Sequence, residues 1–256
     1  STDIPKVLKE LSDYALENDL LTHIHLAQTQ KEMEYIKSNF KTSPIKHAYN
    51  LGILNEKVIA AHCNVIEEGD LELLAESKAF PVFCPTTHGI AGKPMNTNFL
   101  SELNVDWGIG TDCSGGNDDY DMLEEMRTAL VLNNSVAKKN FIKPKEVFRK
   151  ASEENIKRIS GGVFSGKLSK NQKADFITVL INTPRMLPLH DVVNNIVMCA
   201  SSKEINDVYI DGKCVLKNSK FQQIDEQAVL EDGMNALDKI FLKTGFDKKI
   251  SEGDFL

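Results

Sequence analysis

The sequence lacks the features of a membrane protein, a secreted protein and a nucleic-acid-binding protein. No apolar run approaches the roughly 20 residues that span a bilayer, and residues 1–5 show no signal-peptide pattern. The net charge of -7 argues against nucleic acid or an anionic membrane surface as a partner. With 256 residues, the chain is long enough for one large core, or for one core and a small second one.

Several sequence motifs are also missing. No Gly-x-Gly-x-x-Gly follows a predicted strand and no Gly-Lys-Ser/Thr loop occurs, which excludes the common nucleotide phosphate sites. The five cysteines include no Cys-x-x-Cys pair, which excludes zinc-finger and disulfide frameworks and indicates free thiols in a reducing cytoplasm. Cys63, Cys84 and Cys113 each end or follow a predicted strand. We interpret them as small buried thiols, with pocket lining as the alternative.

Short apolar strands alternate with amphipathic helices up to about residue 160. This pattern indicates a parallel α/β sheet or barrel. The predicted strands are residues 20–26, 58–63, 80–84 and 105–110, the predicted helices are 5–18, 30–38, 44–52, 67–77, 98–103, 120–133 and 144–159, and the predicted loops include 86–94 and 113–119.

The pattern changes in the last third of the chain. Strands are predicted at residues 174–180, 192–199, 208–210 and 213–216. An Asp211-Gly212 hairpin signal joins the last two of them. A final helix is predicted at residues 226–242. A small β patch therefore follows the α/β region.

Residues that can bind a metal or move a proton lie at the ends of the four α/β strands. His25, His62, a loop from Cys84 to His88, and Asp112 follow one another in this order, and the carboxyl ends of parallel strands meet at one edge. A divalent metal makes hydroxide available near neutral pH, and imidazole and carboxylate ligands suit Zn²⁺, Fe²⁺ or Mn²⁺. His25 and Asp112 carry suitable donors, but three or four ligands are usual and no His-x-His precedes His23.

The chain resembles the amidohydrolase superfamily, in the branch of methylthioadenosine/S-adenosylhomocysteine deaminases, triazine hydrolases (chlorohydrolases) and guanine deaminases. The resemblance covers about residues 5–235. It is carried by His25-Leu26-Ala27-Gln28-Thr29, Ala61-His62-Cys63, Cys84-Pro85-Thr86-Thr87-His88, Gly110-Thr111-Asp112, the helix from Met122 to Leu132, Gly166-Lys167-Leu168, Lys173-Ala174-Asp175 and the hairpin from Val208 to Lys213.

The resemblance implies a fold and a domain division. Residues 1–165 are expected to form the C-terminal half of a (β/α)8 barrel, with strands five to eight and their helices. Residues 166–220 are expected to form part of a small β-sandwich, and residues 221–256 a C-terminal helix and tail. The activity implied is metal-dependent hydrolysis of an amino- or chloro-substituted heterocycle, a small-molecule substrate.

The resemblance also implies roles for individual residues. His25 and Asp112 are expected to bind the metal, zinc first and iron or manganese as alternatives. Asp112 also accepts a proton, and His62 hydrogen-bonds the substrate at the carbon under attack. Gln28 is a third catalytic candidate. The expected substrate-binding residues are Cys84, Thr87 and His88. Arg127 is interpreted as a structural residue of its helix.

Two substitutions separate this sequence from the family pattern. Gln28 replaces the glutamate that shuttles a proton, and an amide cannot act as a general acid. This leaves room for hydrolytic dehalogenation, whose halide leaving group needs no proton, or for another acid. Thr87-His88 replaces Ser-Asn, and His88 is either that replacement acid or a substrate contact.

The first half of the family's barrel, with its His-x-His metal pair, has no counterpart in this sequence. A half-barrel leaves two strand edges open, which favours association. Three explanations stay open: a fragment with an empty or weakly occupied metal site, a partner chain that supplies the first half, and two copies that pair edge to edge. A non-catalytic interaction module is the alternative to an enzyme.

Overall fold

The structure is a computed structural model that describes residues 4–93 and 97–245. Its described residues divide into two units. The first contains residues 4–172 and 181–204, and the second contains residues 173–180 and 205–245. The domain boundary predicted after residue 165 stays a prediction, because a compact unit need not be a domain of the whole protein.

The first unit is built on a four-stranded parallel sheet in the order β1-β2-β3-β4. Its strands are β1 (Thr22–Leu26), β2 (Val58–His62), β3 (Phe80–Phe83) and β4 (Gly108–Ile109). Each strand is followed by at least one helix, which is how a chain connects parallel neighbours. The α/β class with a parallel sheet is therefore confirmed.

Three helices of the first unit that follow loops near the sheet begin at a side-chain cap. The side chains of Thr29, Ser43 and Asp121 each accept a hydrogen bond from a backbone N–H in the first turn of the helix that follows. The helices are α1 (Ile4–Glu17), α2 (Gln30–Phe40), α3 (Pro44–Asn50), α4 (Asp70–Ser77), α5 (Pro85–Ile90), α6 (Asn98–Glu102), α7 (Ser114–Asn117), α8 (Met122–Val136), α9 (Pro144–Arg149), α10 (Asn155–Ile159) and α11 (Val192–Cys199), with a π-helical turn (Lys150–Glu154) joining α9 to α10.

The core beneath the sheet forms where helices α3 and α4 cover strand β2. Val58 and Ala60 of β2, Ile45 of α3 and Leu74 of α4 are fully buried in one apolar cluster. Burying each of the larger side chains contributes about 1.5–3 kcal/mol. This packing holds β2, and with it the end of the strand where His62 lies.

The prediction of a strand at residues 192–199 is wrong, because this segment is helix α11. The Asp191 carboxylate accepts a hydrogen bond from the N–H of Asn194 at 2.7 Å, which caps the first helical turn. The helix buries Asn195 and Val197. An apolar, β-branched run was therefore compatible with either structure, and the cap favoured the helix.

Three other segments differ from the predictions. The strand predicted at 105–110 is only two residues long, because the N–H of Val105 closes a turn onto the Leu100 carbonyl at 2.8 Å instead of joining the sheet. The loops predicted at 86–94 and 113–119 contain the short helices α5 and α7. Pro85 favours the first of these, because proline is suited to the first helical position.

The second unit contains a four-stranded antiparallel sheet in the order β5-β6-β7-β8. Its strands are β5 (Phe176–Val179), β6 (Ile205–Ile210), β7 (Lys213–Lys217) and β8 (Lys220–Phe221), and its helix is α12 (Glu226–Thr244). The hairpin predicted at Asp211-Gly212 joins β6 to β7, with both residues at positive φ. The predicted final helix is confirmed.

Candidate metal and catalytic site

The structure brings together three predicted site residues at the carboxyl edge of the parallel sheet. His25 is next to last in β1, His62 ends β2 opposite Leu26, and Asp112 follows β4 by three residues. One donor atom from each of the three side chains lies within 4.8 Å of the others. The convergence expected from parallel strands therefore occurs.

The backbone turns sharply at these strand ends. His62 has a φ of 78°, Cys63 of 45°, Asp112 of 61° and Ala27 of 52°. Residues with a Cβ adopt this left-handed conformation rarely, at a cost of about 1–3 kcal/mol each. Such strain collects at functional sites because surrounding contacts hold it in place.

His62 forms a buried pair with His88. His62 is fully buried and His88 is 2% exposed, and Nδ1 of His62 lies 3.2 Å from Nε2 of His88. The outer ring nitrogens, His62 Nε2 and His88 Nδ1, are buried and make no hydrogen bond within the described structure. The His62 ring also stacks on His25, with centroids 5.2 Å apart.

Both imidazoles of this pair are held neutral. Burial, together with the neighbouring His62, lowers the pKa of His88 to about 4. Burial also lowers the pKa of His62, although the Asp112 carboxylate acts in the opposite direction. A neutral imidazole can bind a metal or donate one hydrogen bond.

The other two predicted substrate-binding residues lie in the loop and helix after β3. Cys84 is buried, and burial raises the pKa of its thiol to about 12, so the group is uncharged. The hydroxyl of Thr87 is buried without a partner among the described residues. A methyl group built on Gly116 would lie 3.4 Å from Thr87 Oγ1 and 3.5 Å from Asp112 Oδ2. Gly116 therefore keeps open a gap beside Asp112.

Sequence reasoning missed the buried carboxylate of Glu125. It is fully buried in α8 and accepts hydrogen bonds from the Thr86 N–H at 3.1 Å and from Asn117 Nδ2 at 2.8 Å. Asn117 Nδ2 also donates to the Thr111 carbonyl at 2.9 Å. Glu125 thus joins the loops after β3 and β4, and its position beside buried Met126 on the apolar face of α8 was the available signal.

A second carboxylate, Glu32, organises the end of β1. Its two oxygens accept hydrogen bonds from the N–H groups of Ala27 and Gln28, each at 2.8 Å. This double contact fixes the backbone immediately after His25. Gln28 itself is half-buried at this edge of the sheet, where its amide is available for hydrogen bonding.

Arg127 has a structural role, as interpreted from the sequence. Its guanidinium donates a hydrogen bond to the Ala200 carbonyl at 2.5 Å, which ties α8 to the end of α11. Of the three cysteines near strand ends, Cys63 and Cys84 are buried and Cys113 is exposed. The interpretation as small buried thiols therefore holds for the first two.

The cluster offers donors that fit a divalent metal, either with all three side chains as ligands or with His25 and Asp112 as ligands and His62 beside the ion. Two imidazoles and one carboxylate are a donor set that zinc, iron and manganese accept, and His62 Nε2 is a buried polar atom without a partner in the described chain. Zinc binds such nitrogens at about 2.0–2.1 Å, so two donors of one ion lie at most about 4.2 Å apart, and donors at the 4.8 Å limit of this cluster must move closer to share one ion.

Comparison with known proteins decides the family. The family model described as "Amidohydrolase family" matches residues 2–215. The chain belongs to this family. A 5-methylthioadenosine/S-adenosylhomocysteine deaminase of Pelotomaculum thermopropionicum is 30% identical over 236 residues, which are 89% of this chain and 53% of that protein. A protein of the same name from Dictyoglomus thermophilum is 30% identical over 227 residues, 88% of this chain and 53% of its own.

Solved amidohydrolase structures have the same fold. An adenosine deaminase from Xanthomonas campestris with bound zinc superimposes with a TM-score of 0.88 at 25% identity, covering 92% of this chain and 54% of its own. Atrazine chlorohydrolase from Arthrobacter aurescens TC1, complexed with zinc, superimposes with a TM-score of 0.84 at 16% identity. The match covers 90% of this chain and 51% of that protein. The chain spans about half the length of the curated relatives it matches. Among the described residues, no helix is long and apolar enough to cross a membrane.

Proposed function

We propose that the whole protein is a metal-dependent hydrolase that acts on an amino- or chloro-substituted nitrogen heterocycle of the purine or triazine kind. The observation that carries this proposal is the cluster of His25, His62 and Asp112 donors within 4.8 Å at the strand ends. The names of the relatives support a deaminase first. Zinc is the metal we expect, with iron or manganese as alternatives.

The four parallel strands would be strands five to eight of an eight-stranded barrel. Among the described residues, β1 and β4 each pair with one neighbour only, so both edges can accept another strand. We propose that a segment outside this sequence completes the barrel and adds metal ligands to His25 and Asp112. This segment would belong to a longer chain or to a partner chain; pairing of two copies edge to edge is the third possibility.

The residues of the site divide the chemistry among them. A bound metal would lower the pKa of water and make hydroxide available near neutral pH. Asp112 Oδ1 accepts the Cys113 N–H at 2.8 Å, which orients the carboxylate and leaves Oδ2 free to accept the water's proton. His62 would donate a hydrogen bond to the substrate at the carbon under attack. Thr87, His88 and Cys84 stay predicted contributors to substrate binding.

Gln28 favours a second candidate, hydrolytic dehalogenation. An amide can orient a substrate or a water but cannot deliver a proton to a leaving amine. Chloride leaves without being protonated, so a chloro-substituted ring needs no acid at this position. The contrast between the two leaving groups is therefore the chemistry that distinguishes the candidates.

The experiment that tests the proposal measures turnover by the whole zinc-loaded protein on matched amino- and chloro-substituted purines and triazines. We expect His62→Ala and Asp112→Asn each to lower kcat/KM by about 10²–10⁴-fold, the usual loss of a proton-transfer or positioning group. His190→Ala, at an exposed histidine, is the control and should leave turnover unchanged. Turnover that survives both site substitutions would refute the proposal, and the absence of any turnover would favour a non-catalytic module.

A second comparison separates deamination from dehalogenation. Ammonia and chloride release are measured for the wild type and for Gln28→Glu. Because glutamate can carry a proton, the substitution should raise ammonia release and change chloride release little. An unchanged ratio of the two products would show that position 28 does not select the leaving group.

A further inference from the structure

His88 is held rigidly against His62. The backbone N–H of His88 donates to the Cys84 carbonyl at 2.9 Å, and the backbone carbonyl of His88 accepts the Lys93 N–H at 2.8 Å. Its ring stands edge-on to Phe83, with centroids 6.3 Å apart. The side chain is 2% exposed, and among the described residues His62, not His88, lies in the cluster with His25 and Asp112 at the sheet edge.

The position of the shared proton follows from which outer ring nitrogen can find an acceptor. The bond between His62 Nδ1 and His88 Nε2 can be made in two ways, because either nitrogen can be the donor. If His62 donated, neutral His88 would carry its proton on Nδ1, and if His88 donated, neutral His62 would carry its proton on Nε2; both atoms are buried without a partner among the described residues. A buried N–H needs an acceptor more than a lone pair needs a donor. His62 lies in the cluster with Asp112, where a carboxylate or a substrate atom can accept its proton, whereas His88 lies outside that cluster, and this favours His88 Nε2 as the donor.

We infer that His88 is a positioning residue, which donates its Nε2–H to Nδ1 of His62. This bond fixes the proton of His62 on Nε2, where the N–H can meet the substrate. The inference rests on the proposed function, because it gives His62 the donor role that hydrolysis of the heterocycle requires. His88 then contributes to substrate binding through His62 and not by direct contact.

The position of the proton on His62 determines whether this ring can bind the metal. A nitrogen that carries a proton has no lone pair for a metal, so His62 would bind an acceptor atom of the substrate and leave the ion to His25, Asp112 and ligands outside this sequence. The opposite tautomer would make His62 a metal ligand. The direction of one hydrogen bond therefore decides which of two roles His62 has.

The test is nitrogen NMR of the histidine side chains in the full ¹⁵N-labelled protein. In the wild type, His62 should show a protonated Nε2 and an unprotonated Nδ1 that accepts a hydrogen bond. His88→Phe removes the donor and should give His62 a mixture of tautomers, whereas His88→Gln keeps a donor amide and should largely restore the wild-type pattern. The control, exposed His190→Phe, should change nothing. A wild-type His62 with its proton on Nδ1 would overturn the inference.

Two further measurements distinguish positioning from mere folding and from failure of the proposed function. Zinc content by elemental analysis should be the same in the wild type and in His88→Gln, and a loss of zinc in both His88 variants would mean that His62 is a ligand. If the protein turns over a heterocycle, kcat should fall about 10–100-fold in His88→Phe, the usual effect of losing such a supporting contact, with recovery in His88→Gln. If it turns over none, the proposed function fails while the NMR result still decides the inference.

Discussion

Replacing Glu125 by alanine should destabilise the first unit by about 3 kcal/mol. The carboxylate is fully buried, and the change leaves the Thr86 N–H and one N–H of Asn117 without their acceptor. Each buried donor without a partner costs about 1–3 kcal/mol. The loss is partly offset, because burial raises the pKa of Glu125 and the variant no longer buries that charge.

The neighbouring residue provides a matched control. Glu124 lies one position earlier in α8 and is exposed, in the first turn of the helix. Glu124→Ala removes only a favourable interaction with the helix dipole, worth about 0.3–1 kcal/mol. The two substitutions delete the same atoms from the same helix, so the difference between them measures the buried hydrogen bonds.

The assay is urea unfolding followed by tryptophan fluorescence. Trp107 is the single tryptophan of the sequence; it is fully buried and stands edge-on to Phe83, so its emission reports unfolding of the first unit. A Glu125→Ala variant no less stable than Glu124→Ala would refute the view that this carboxylate holds the two loops together. The same view would be refuted if Glu125→Ala lowered the free energy of unfolding but left zinc content and turnover unchanged, since the two loops carry Thr87 and Asp112.

Three more outcomes are expected. Because the pKa of His88 is lowered from 6.5 to about 4, the unfolded chain binds a proton between these pH values that the folded chain does not. Urea unfolding should therefore show stability falling by about 3 kcal/mol from this group between pH 6.5 and about 4, and His88→Gln should lose this part of the pH dependence. Gly108→Ala should destabilise the first unit by more than about 1–3 kcal/mol, because its methyl group would lie 2.0 Å from Asn155 Oδ1. Exposed Gly233→Ala, with nothing within 4 Å, should stabilise α12, measured by helical circular dichroism during urea unfolding. Zinc at 100 times its Kd should stabilise the whole protein by about 2.7 kcal/mol, and Asp112→Asn should abolish most of this gain.

Sequence patterns predicted the parts of the fold where local and tertiary preferences agree. The strands ending at His25 and His62 are short apolar runs followed by helices, and the structure places them side by side in parallel. The ends of parallel strands must then meet, so the clustering of these histidines with Asp112 could be predicted without any distance. The amidohydrolase resemblance was confirmed for the same reason, since its motifs are these strand ends.

The errors fall where the outcome depends on a contact that a linear pattern does not contain. The segment 192–199 is apolar and rich in β-branched residues, but Asp191 caps it as a helix. Val105 was expected to begin a strand, but its N–H closes a turn onto Leu100. In both cases one hydrogen bond selects between two structures that the composition allows.

The pairing of His62 with His88 could not be predicted from sequence, because it depends on how α5 folds back against the end of β2. The sequence indicated only that His88 replaces the expected asparagine in that loop. Whether His88 contacts a substrate directly or acts through His62 depends on this packing, which the local sequence does not contain.

The site is held in place by carboxylates that do not belong to the predicted catalytic set. Ala27, His62 and Asp112 each carry a strained backbone, at about 1–3 kcal/mol apiece, and this strain persists only if neighbouring groups oppose its release. Glu32 fixes the turn after β1 through two backbone N–H groups, and Glu125, through Asn117, fixes the Thr111 carbonyl next to Asp112. The metal and proton chemistry proposed here would therefore depend on buried hydrogen bonds a few residues away from the reacting groups, as much as on the histidines themselves.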